Sequence, residues 1–353
     1  MLIFKKLFNL FFNEKIKNYI RTKFSGLLET FDKIIIYREY KKSCKYILKK
    51  KIFMYKEHDY GWRHLSFEEY IKQTLIETKI MYEKFRIRDD EMQKCVDYIS
   101  ENGAGDVYCG SLNEVVIYSE QDVKYDREND LYYGLYEGKR LYFNKDVDTL
   151  EKALTALNGL AAEQSENSPH KYLDGDFQVK EGDVVFDVGC ADGNFALSVI
   201  DKASKIYLFE ADEQWMTPLR LTFAPYMDKV EIVRKYVDER SGEKTVSLDD
   251  FCQSKGIDHV DMVKMDIEGY EENVLKGAAR LLQNKKINRI AVCTYHKPED
   301  EENLGKILCD YDKTMAKGYM LGALIHEIYE IKPPYFTKGI MRASLSSKQE
   351  NNK

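Results

Sequence analysis

Apolar positions recur along this chain with two different periods, and the change between them falls near residue 182. From about residue 13 to 100, Ile, Leu, Phe and Tyr are spaced three and four apart, the repeat of one helical face. Ser66 followed by Glu69 has the form of a capping box and predicts a helix running through Ile80. The run Asn102-Gly-Ala-Gly-Asp106 ends helical structure, because glycine favours conformations that a helix excludes. Short β-like pieces follow at Glu114–Tyr118, Leu131–Tyr136 and Lys139–Phe143. The last two are joined by Glu137-Gly138, the signature of a hairpin. A helix is predicted over Asp148–Glu163, and the polar stretch Gln164 to Pro169 closes this part of the chain.

Beyond Gly182, valine-rich runs alternate with helical segments, as in a parallel sheet covered on both faces. Strands are predicted at Val184–Val188, Lys205–Glu210, Val230–Tyr236, Met262–Asp266 and Ile290–Tyr295. A helix starts near Glu299, and two closing strands are expected at Tyr319–Tyr329 and Ile340–Ala343. The pattern divides the chain into a helical region over 1–110, a hairpin and helix over 111–164, an α/β domain over 165–344 and a polar tail over 345–353.

Composition narrows the class. The chain has 353 residues, 44% of them hydrophobic and 13% aromatic, enough for two folded cores. Its seven Cys contain no C-x-x-C pair, which points to buried thiols in a reducing, cytoplasmic setting and away from a disulfide framework or zinc site. Residues 1–57 carry 15 Lys+Arg against 5 Asp+Glu, a charge of +10 that leaves -16 for the rest of the chain. Such an arm is a solvated helix or a peripheral contact with an anionic partner, including the inner face of a membrane. Residues 1–12 are apolar but interrupted by Lys5, Lys6 and Asn9, too short a run for a spanning helix or a secretory signal. Packing of that segment on a folded core is the expectation.

The most informative stretch is Val184-Val-Phe-Asp-Val-Gly-Cys-Ala-Asp-Gly-Asn-Phe-Ala-Leu197. A strand runs into a loop holding Gly189 and Gly193, and a helix begins at once. Gly189 permits the tight turn, and Gly193 is expected to let the backbone approach a ligand. Glu210 ends the second strand 21 residues after Gly189, where a carboxylate accepts hydrogen bonds from ribose hydroxyls. A dinucleotide loop needs G-x-G-x-x-G, whose positions here are Gly189, Ala191 and Asn194. Asp187 and Asp192 also place negative charge where a pyrophosphate would sit. The loop therefore suits a cationic ligand without phosphate, and S-adenosylmethionine is the cofactor that fits.

Together with other segments, this loop resembles the FkbM-type methyltransferases, a branch of the class I S-adenosylmethionine-dependent enzymes. The matching segments are Ser168-Pro-His-Lys-Tyr172, Phe209-Glu-Ala-Asp212, Thr245-Val-Ser-Leu-Asp-Asp-Phe251, Met265-Asp-Ile-Glu-Gly-Tyr-Glu271 and Thr294-Tyr-His296. The resemblance implies a Rossmann-like, mostly parallel seven-stranded sheet whose last strand is antiparallel, preceded here by the mainly helical region. It also implies O-methylation of a sugar or natural-product hydroxyl. Carried over by position, Asp187, Gly189, Cys190, Ala191, Asp192 and Gly193 surround the methionine part of the cofactor. Glu210 holds the ribose, Ala211 lies beside the adenine, and Asp238 is a candidate for the adenine edge.

Ligands of an open α/β sheet lie beyond the carboxyl ends of the strands. Asp266, Glu268 and Glu271 follow the fourth strand there, and Tyr295 and His296 follow the fifth. Methyl transfer to oxygen needs an aligned acceptor and a base for its proton. His296 suits the base best, with Asp266 as alternative base or orienting group and Glu268 beside it. Asp266 and Glu268 with a third carboxylate are also a candidate Mg²⁺ seat, although no metal ligand set is assigned. Glu268 and Glu271 also have a plainer reading as helix N-terminal acids, and His170 is either part of a lid hinged at the polar run before Pro169 or a satisfied loop histidine. The acceptor is expected to be a small-molecule or glycan hydroxyl, for which the Tyr-rich hairpin offers stacking faces. Alternatives are nitrogen, protein or lipid methylation, or a binding protein of the same fold without turnover. No nucleic-acid partner is expected, since Asp-Ile-Glu-Gly stands where Asn/Asp-Pro-Pro-Tyr/Phe presents a base in nucleic-acid enzymes.

Overall fold

A computed structural model describes residues 76, 89–112, 117–326 and 335–345. The chain divides into two compact units, Met1–Thr78 and Lys79–Lys353, and residues 89 onward belong to the second. The basic arm, the Ser66/Glu69 capping box, residues 114–116 of the first β-like piece and residues 346–353 of the tail lie outside the described residues. No helix among the described residues is long and apolar enough to cross a membrane.

The second unit opens with α1 (Asp90–Asn102), capped by Asp89 and ended at Gly103, as the glycine run predicts. Strands β1 (Val123–Asp126), β2 (Leu131–Tyr136) and β3 (Lys139–Tyr142) form an antiparallel sheet. The hairpin turn falls on Glu137-Gly138, both at positive φ, the geometry that matches strand twist in a two-residue turn. Strand β1 is only four residues long, Val-Lys-Tyr-Asp, and its pairing with β2 reveals it. Helix α2 (Leu150–Glu163) starts at Thr149, whose hydroxyl caps Lys152 N.

The α/β layer follows as β4 (Val184–Val188), α3 (Asn194–Val199), β5 (Lys205–Phe209), α4 (Glu213–Phe223) and β6 (Val230–Val233). A small parallel ribbon, β7 (Tyr236–Val237) with β8 (Thr245–Val246), leads to α5 (Leu248–Lys255) and β9 (Val260–Met265). Then come α6 (Glu271–Lys276), α7 (Ala279–Gln283), β10 (Ile287–Cys293), α8 (Asp300–Ile307), β11 (Tyr311–Met315), the short pair β12 (Met320–Leu321) and β13 (Phe336–Thr337), and β14 (Ile340–Leu345). The main sheet has seven strands in the order β11-β14-β10-β9-β4-β5-β6, and β14 is antiparallel to both its neighbours. This is the expected fold class.

One strand differs from expectation. The sixth strand of the sheet is Tyr311–Met315, not Tyr319–Tyr329. It is an edge strand with Asp312, Lys313 and Thr314 exposed, so it lacks the apolar run that marks the central strands. Within the expected span, Met320–Leu321 pairs over two residues before a helical turn at Gly322–Ile325, and residues 327–329 lie outside the described residues.

Successive strand residues point to opposite faces, and each face has its own core. Val185, Ile206, Leu208, Met262, Ala291 and Cys293 face one side, packed with Leu141, Phe143 and Leu157 from the hairpin and α2. Phe186, Val188, Phe209, Val263, Met265 and Ile290 face the other, packed with Phe251 of α5. Burying a side chain of this size contributes about 1.5–3 kcal/mol, so the central strands are anchored on both sides. At the amino end of the sheet, buried Arg289 pairs with Asp183 at 2.7 Å and donates to the Asp261 carbonyl at 3.3 Å, tying β10 to β9 and the entry to β4.

Candidate active site

Strands β5, β4, β9 and β10 are adjacent, and the residues just past their carboxyl ends form the site. The predicted strands run one or two residues too far here. Strand β5 stops at Phe209, β9 at Met265 and β10 at Cys293, which frees Glu210, Asp266 and Thr294–His296 for the crevice.

The loop after β4 is held open by backbone conformation. Gly189 (φ 72°), Ala191 (φ 46°) and Gly193 (φ 83°) are all left-handed. Gly189 N donates to Phe209 O at 3.0 Å, and a Cβ at Gly189 would run into the Asp266 carbonyl, so the loops after β4 and β9 touch through this glycine. Gly193 also has a packing reason. A Cβ there would meet the Phe223 ring at 2.6 Å, so its bareness lets the loop close on α4. Glu210 is fixed at both carboxylate oxygens. Ala191 N donates to its Oε2 at 3.1 Å and Asp212 N to its Oε1 at 2.8 Å, fixing the carboxylate while each oxygen keeps further acceptor capacity. Ala211 follows, half-buried.

Two loop acids behave differently. Asp187 is fully buried beneath the loop, 3.1 Å from Lys264 Nζ, and burial pushes its carboxyl up against the pull of that ammonium. Asp192 accepts Asn194 N at 2.9 Å, and burial raises its carboxyl to about 7. The Cys190 thiol is buried and also pushed up, leaving only its backbone at the loop surface. Asp238 sits past β7, five residues beyond the end of β6, where its Oδ1 accepts Asn273 Nδ2 at 3.1 Å and Glu239 N at 2.7 Å.

Asp266 is the hub of the reacting end. Tyr172 Oη donates to its Oδ2 at 2.8 Å, and His170 Nε2 lies 3.4 Å from the same oxygen. His296 Nε2 faces the other oxygen, Oδ1, at 3.4 Å. Burial opposes the charge of Asp266, but His170, Lys264 and His296 overcome it and hold the carboxyl well below the usual range. Behind His296, Nδ1 donates to Glu271 Oε1 at 2.7 Å, and Ile267 N donates to the same oxygen at 3.0 Å. Glu271 is fully buried, so it orients an imidazole as well as opening α6. Burial disfavours the charged imidazole, yet Glu271, Asp266 and Glu268 together raise His296 above the ordinary histidine value. Glu268, at φ 55°, projects into solvent with Oε2 3.6 Å from His296 Nε2.

Several contributors were not singled out from the sequence. Lys264 lies inside β9, where its Nζ donates to Gly189 O at 2.7 Å and sits 5.3 Å from the Tyr172 ring centroid. The charges of Asp187 and Asp266 outweigh its burial and raise it above a lysine's ordinary value. A lysine within the apolar run Val260-Asp-Met-Val-Lys-Met265 was the available signal. The segment around His170 is held against β14. Ile340 N donates to Pro169 O at 3.1 Å, and Arg342 donates to Lys171 O at 2.7 Å and Tyr172 O at 3.0 Å. His170 itself is buried, with Nε2 3.0 Å from Tyr295 Oη.

Residues 51–328 match the methyltransferase FkbM domain family. The chain belongs to this family. This is the family that the loop after β4 and the other matching segments led one to expect. Among solved structures it is similar to the FkbM methyltransferase of Methylobacillus flagellatus KT, at 18% identity over 72% of this chain and 62% of that one, with a TM-score of 0.39. It thus spans under two thirds of that protein's length. It is also similar to the precorrin-6y C5,15-methyltransferase of Geobacter metallireducens GS-15, at 14% identity over 47% of this chain and 83% of that one, with a TM-score of 0.31. A third is the magnesium protoporphyrin IX methyltransferase of Synechocystis PCC 6803 with bound S-adenosylmethionine, at 14% identity over 47% of this chain and 71% of that one, with a TM-score of 0.30. No curated protein sequence matches the chain.

Proposed function

We propose that this FkbM-family protein binds S-adenosylmethionine at the carboxyl edge of β4 and β5 and transfers its methyl group to a hydroxyl of a sugar, glycan or related metabolite. Glu210 receives the ribose hydroxyls, Ala211 and Asp238 border the adenine, and the 187–193 loop surrounds the methionine part. The acceptor stands at Asp266, Glu268 and His296. There the transfer is an in-line displacement, and alignment supplies much of its acceleration. The observation that carries the reading is the Asp266–His296–Glu271 arrangement. A buried imidazole held by a carboxylate on Nδ1 presents Nε2 beside two further carboxylates, a cluster suited to taking up a hydroxyl proton. Such a cluster favours an acceptor that must lose a proton over one already nucleophilic.

Calorimetry on the full chain tests the cofactor half. S-adenosylmethionine is expected to bind, Glu210→Ala to weaken it by about tenfold or more, and Gly189→Arg to abolish it. An absence of binding to the unmodified protein sinks the proposal. For the acceptor, cell-surface glycans compared by mass spectrometry with and without the protein are expected to differ by one methyl increment. The +10 arm over residues 1–57 is proposed as a peripheral contact with anionic lipid. Unchanged sedimentation with phosphatidylserine vesicles after its deletion removes that role.

A further inference from the structure

We infer that His296, Asp266 and Glu268 form a seat for a divalent transition-metal cation of the zinc, cobalt or manganese class, with Glu271 fixing the imbedded histidine from behind. His296 is the anchor. Its side chain is 6% exposed, Nδ1 is committed to Glu271 at 2.7 Å, and Nε2 makes no hydrogen bond among the described residues. Nε2 instead faces Asp266 Oδ1 at 3.4 Å and Glu268 Oε2 at 3.6 Å. Those separations match the edge of a ligand tetrahedron, about 3.4 Å when each donor lies about 2.1 Å from a metal. Around His296, among the described residues, the ligating atoms that already lie within 4.8 Å of one another are those of Asp266, Glu271 and His296, so Glu268 has to turn inward from solvent to complete the seat.

A metal-bound imidazole almost always donates its other ring N–H to a carboxylate, which fixes the tautomer and raises its basicity. The Glu271–His296 contact has that form, and the second oxygen of Glu271 is buried without a hydrogen-bond partner. Tyr172 holds Asp266 by Oδ2, so Oδ1 is the oxygen left toward the histidine. Glu268 is 91% exposed, free to swing onto an ion and to admit one from solvent. One imidazole nitrogen and two carboxylate oxygens suit a borderline cation, whereas Mg²⁺ prefers oxygen donors alone. Resting on the methyl-transfer reading, the seat would hold the acceptor oxygen and lower the pKa of its hydroxyl. His296 would then serve as ligand, and the ion as the activating group.

The test uses the full-length protein, stripped with EDTA and titrated with Co²⁺ and then Mg²⁺ by calorimetry and visible absorption. One Co²⁺ per chain is expected, with d–d bands of a nitrogen- and oxygen-bound ion, and Mg²⁺ binding at least about 100-fold weaker. His296→Ala is expected to abolish binding, and Glu271→Gln to weaken it by about 10- to 100-fold. Glu268→Gln alters an exposed side chain and leaves the fold intact, and it is expected to weaken Co²⁺ by about tenfold or more. No stoichiometric Co²⁺ binding, equal affinity for the two ions, or unchanged affinity in both Glu268→Gln and His296→Ala overturns the inference. S-adenosylmethionine titrated into the same samples separates the two proposals. Nucleoside binding without Co²⁺ binding overturns the seat alone, and Co²⁺ binding without nucleoside binding overturns the functional reading alone.

Discussion

Asp192 makes stability depend on pH in a direction opposite to that of most carboxylates. Burial raises its folded-state value to about 7, from an ordinary 3.8 that the unfolded chain restores. Between about pH 4 and 7 the folded protein therefore holds a proton that the unfolded chain has lost. The stability contributed by this proton is complete below the unfolded value and disappears as pH rises through about 7. A rise of about three pH units at about 1.4 kcal/mol each sets an upper bound of about 4 kcal/mol, because Asp192 is only half-buried and water screens part of the effect. Asp192→Asn removes the titration while keeping an oxygen for Asn194 N. Urea denaturation at pH 5, 6, 7 and 8 is the assay, and the difference between variant and unmodified protein cancels the other titrating groups. The variant is expected to be more stable than the unmodified protein by up to about 1.5 kcal/mol at pH 5, with the gap widening to as much as about 4 kcal/mol at pH 8. A difference that stays constant across the four pH values refutes the argument. The same proton couples to ligand binding. A cationic nucleoside seated by the loop favours the ionised carboxyl, so its affinity is expected to rise with pH toward 7 and to be flat in Asp192→Asn.

Further outcomes follow from burial and close contact. Lys264→Met leaves Asp187 fully buried without its cation and is expected to destabilise by about 3–5 kcal/mol in urea melts. A second change, Asp187→Leu, should recover part of that loss, and a single variant within about 1 kcal/mol of the unmodified protein would contradict the pairing. Arg289→Met strands the buried Asp183 carboxylate and carries a similar loss at the opposite end of the sheet. Since it lies away from the crevice, nucleoside affinity of the folded fraction should be unchanged. Gly189→Ala places a Cβ against the Asp266 carbonyl at a left-handed position. It should lower the thermal midpoint and weaken nucleoside binding together, and loss of neither would show that the two loops do not touch.

The central sheet was legible because its strands are buried on both faces and so read as unbroken apolar runs. The same rule explains what was hidden. Tyr311–Met315 pairs on one side only and exposes Asp312, Lys313 and Thr314, so its sequence resembles a loop. Strand ends were read too long because Glu210, Asp266 and Tyr295 continue an extended run whose last pairing partner is already gone. In the site, residue types near glycines were readable from spacing. The partnerships were not, because they join distant segments: Tyr172 to Asp266, His170 to Tyr295, and Lys264 to Asp187. Lys264 is the instructive miss. A charged residue at an inward position of a central strand is tolerated only with a buried countercharge, and the structure supplies it as Asp187.

The charge pattern across the crevice connects these observations. Asp187, Asp192, Glu210, Asp266, Glu268 and Glu271 gather at the carboxyl edge of four strands, with Lys264 and His296 as cations among them. Lys264 is spent on Asp187 and the Gly189 carbonyl, too deep to serve a ligand. The negative charge of these carboxylates therefore exceeds the positive charge gathered with them, and one of them, Asp192, relieves the excess by holding a proton. Adding a phosphate-bearing cofactor would deepen the surplus, whereas a sulfonium and an ammonium would offset it at the 187–193 loop. The remainder lies around His296, on the acceptor side. A cation there and a cationic nucleoside on the other side answer one electrostatic demand at two places, so occupying either should weaken the pull on the other. Measured on the same protein, Co²⁺ and S-adenosylmethionine are thus expected to show slightly unfavourable coupling that fades at high salt. Strongly favourable coupling would mean that contact between the two ligands, and not the field of the carboxylates, governs the site.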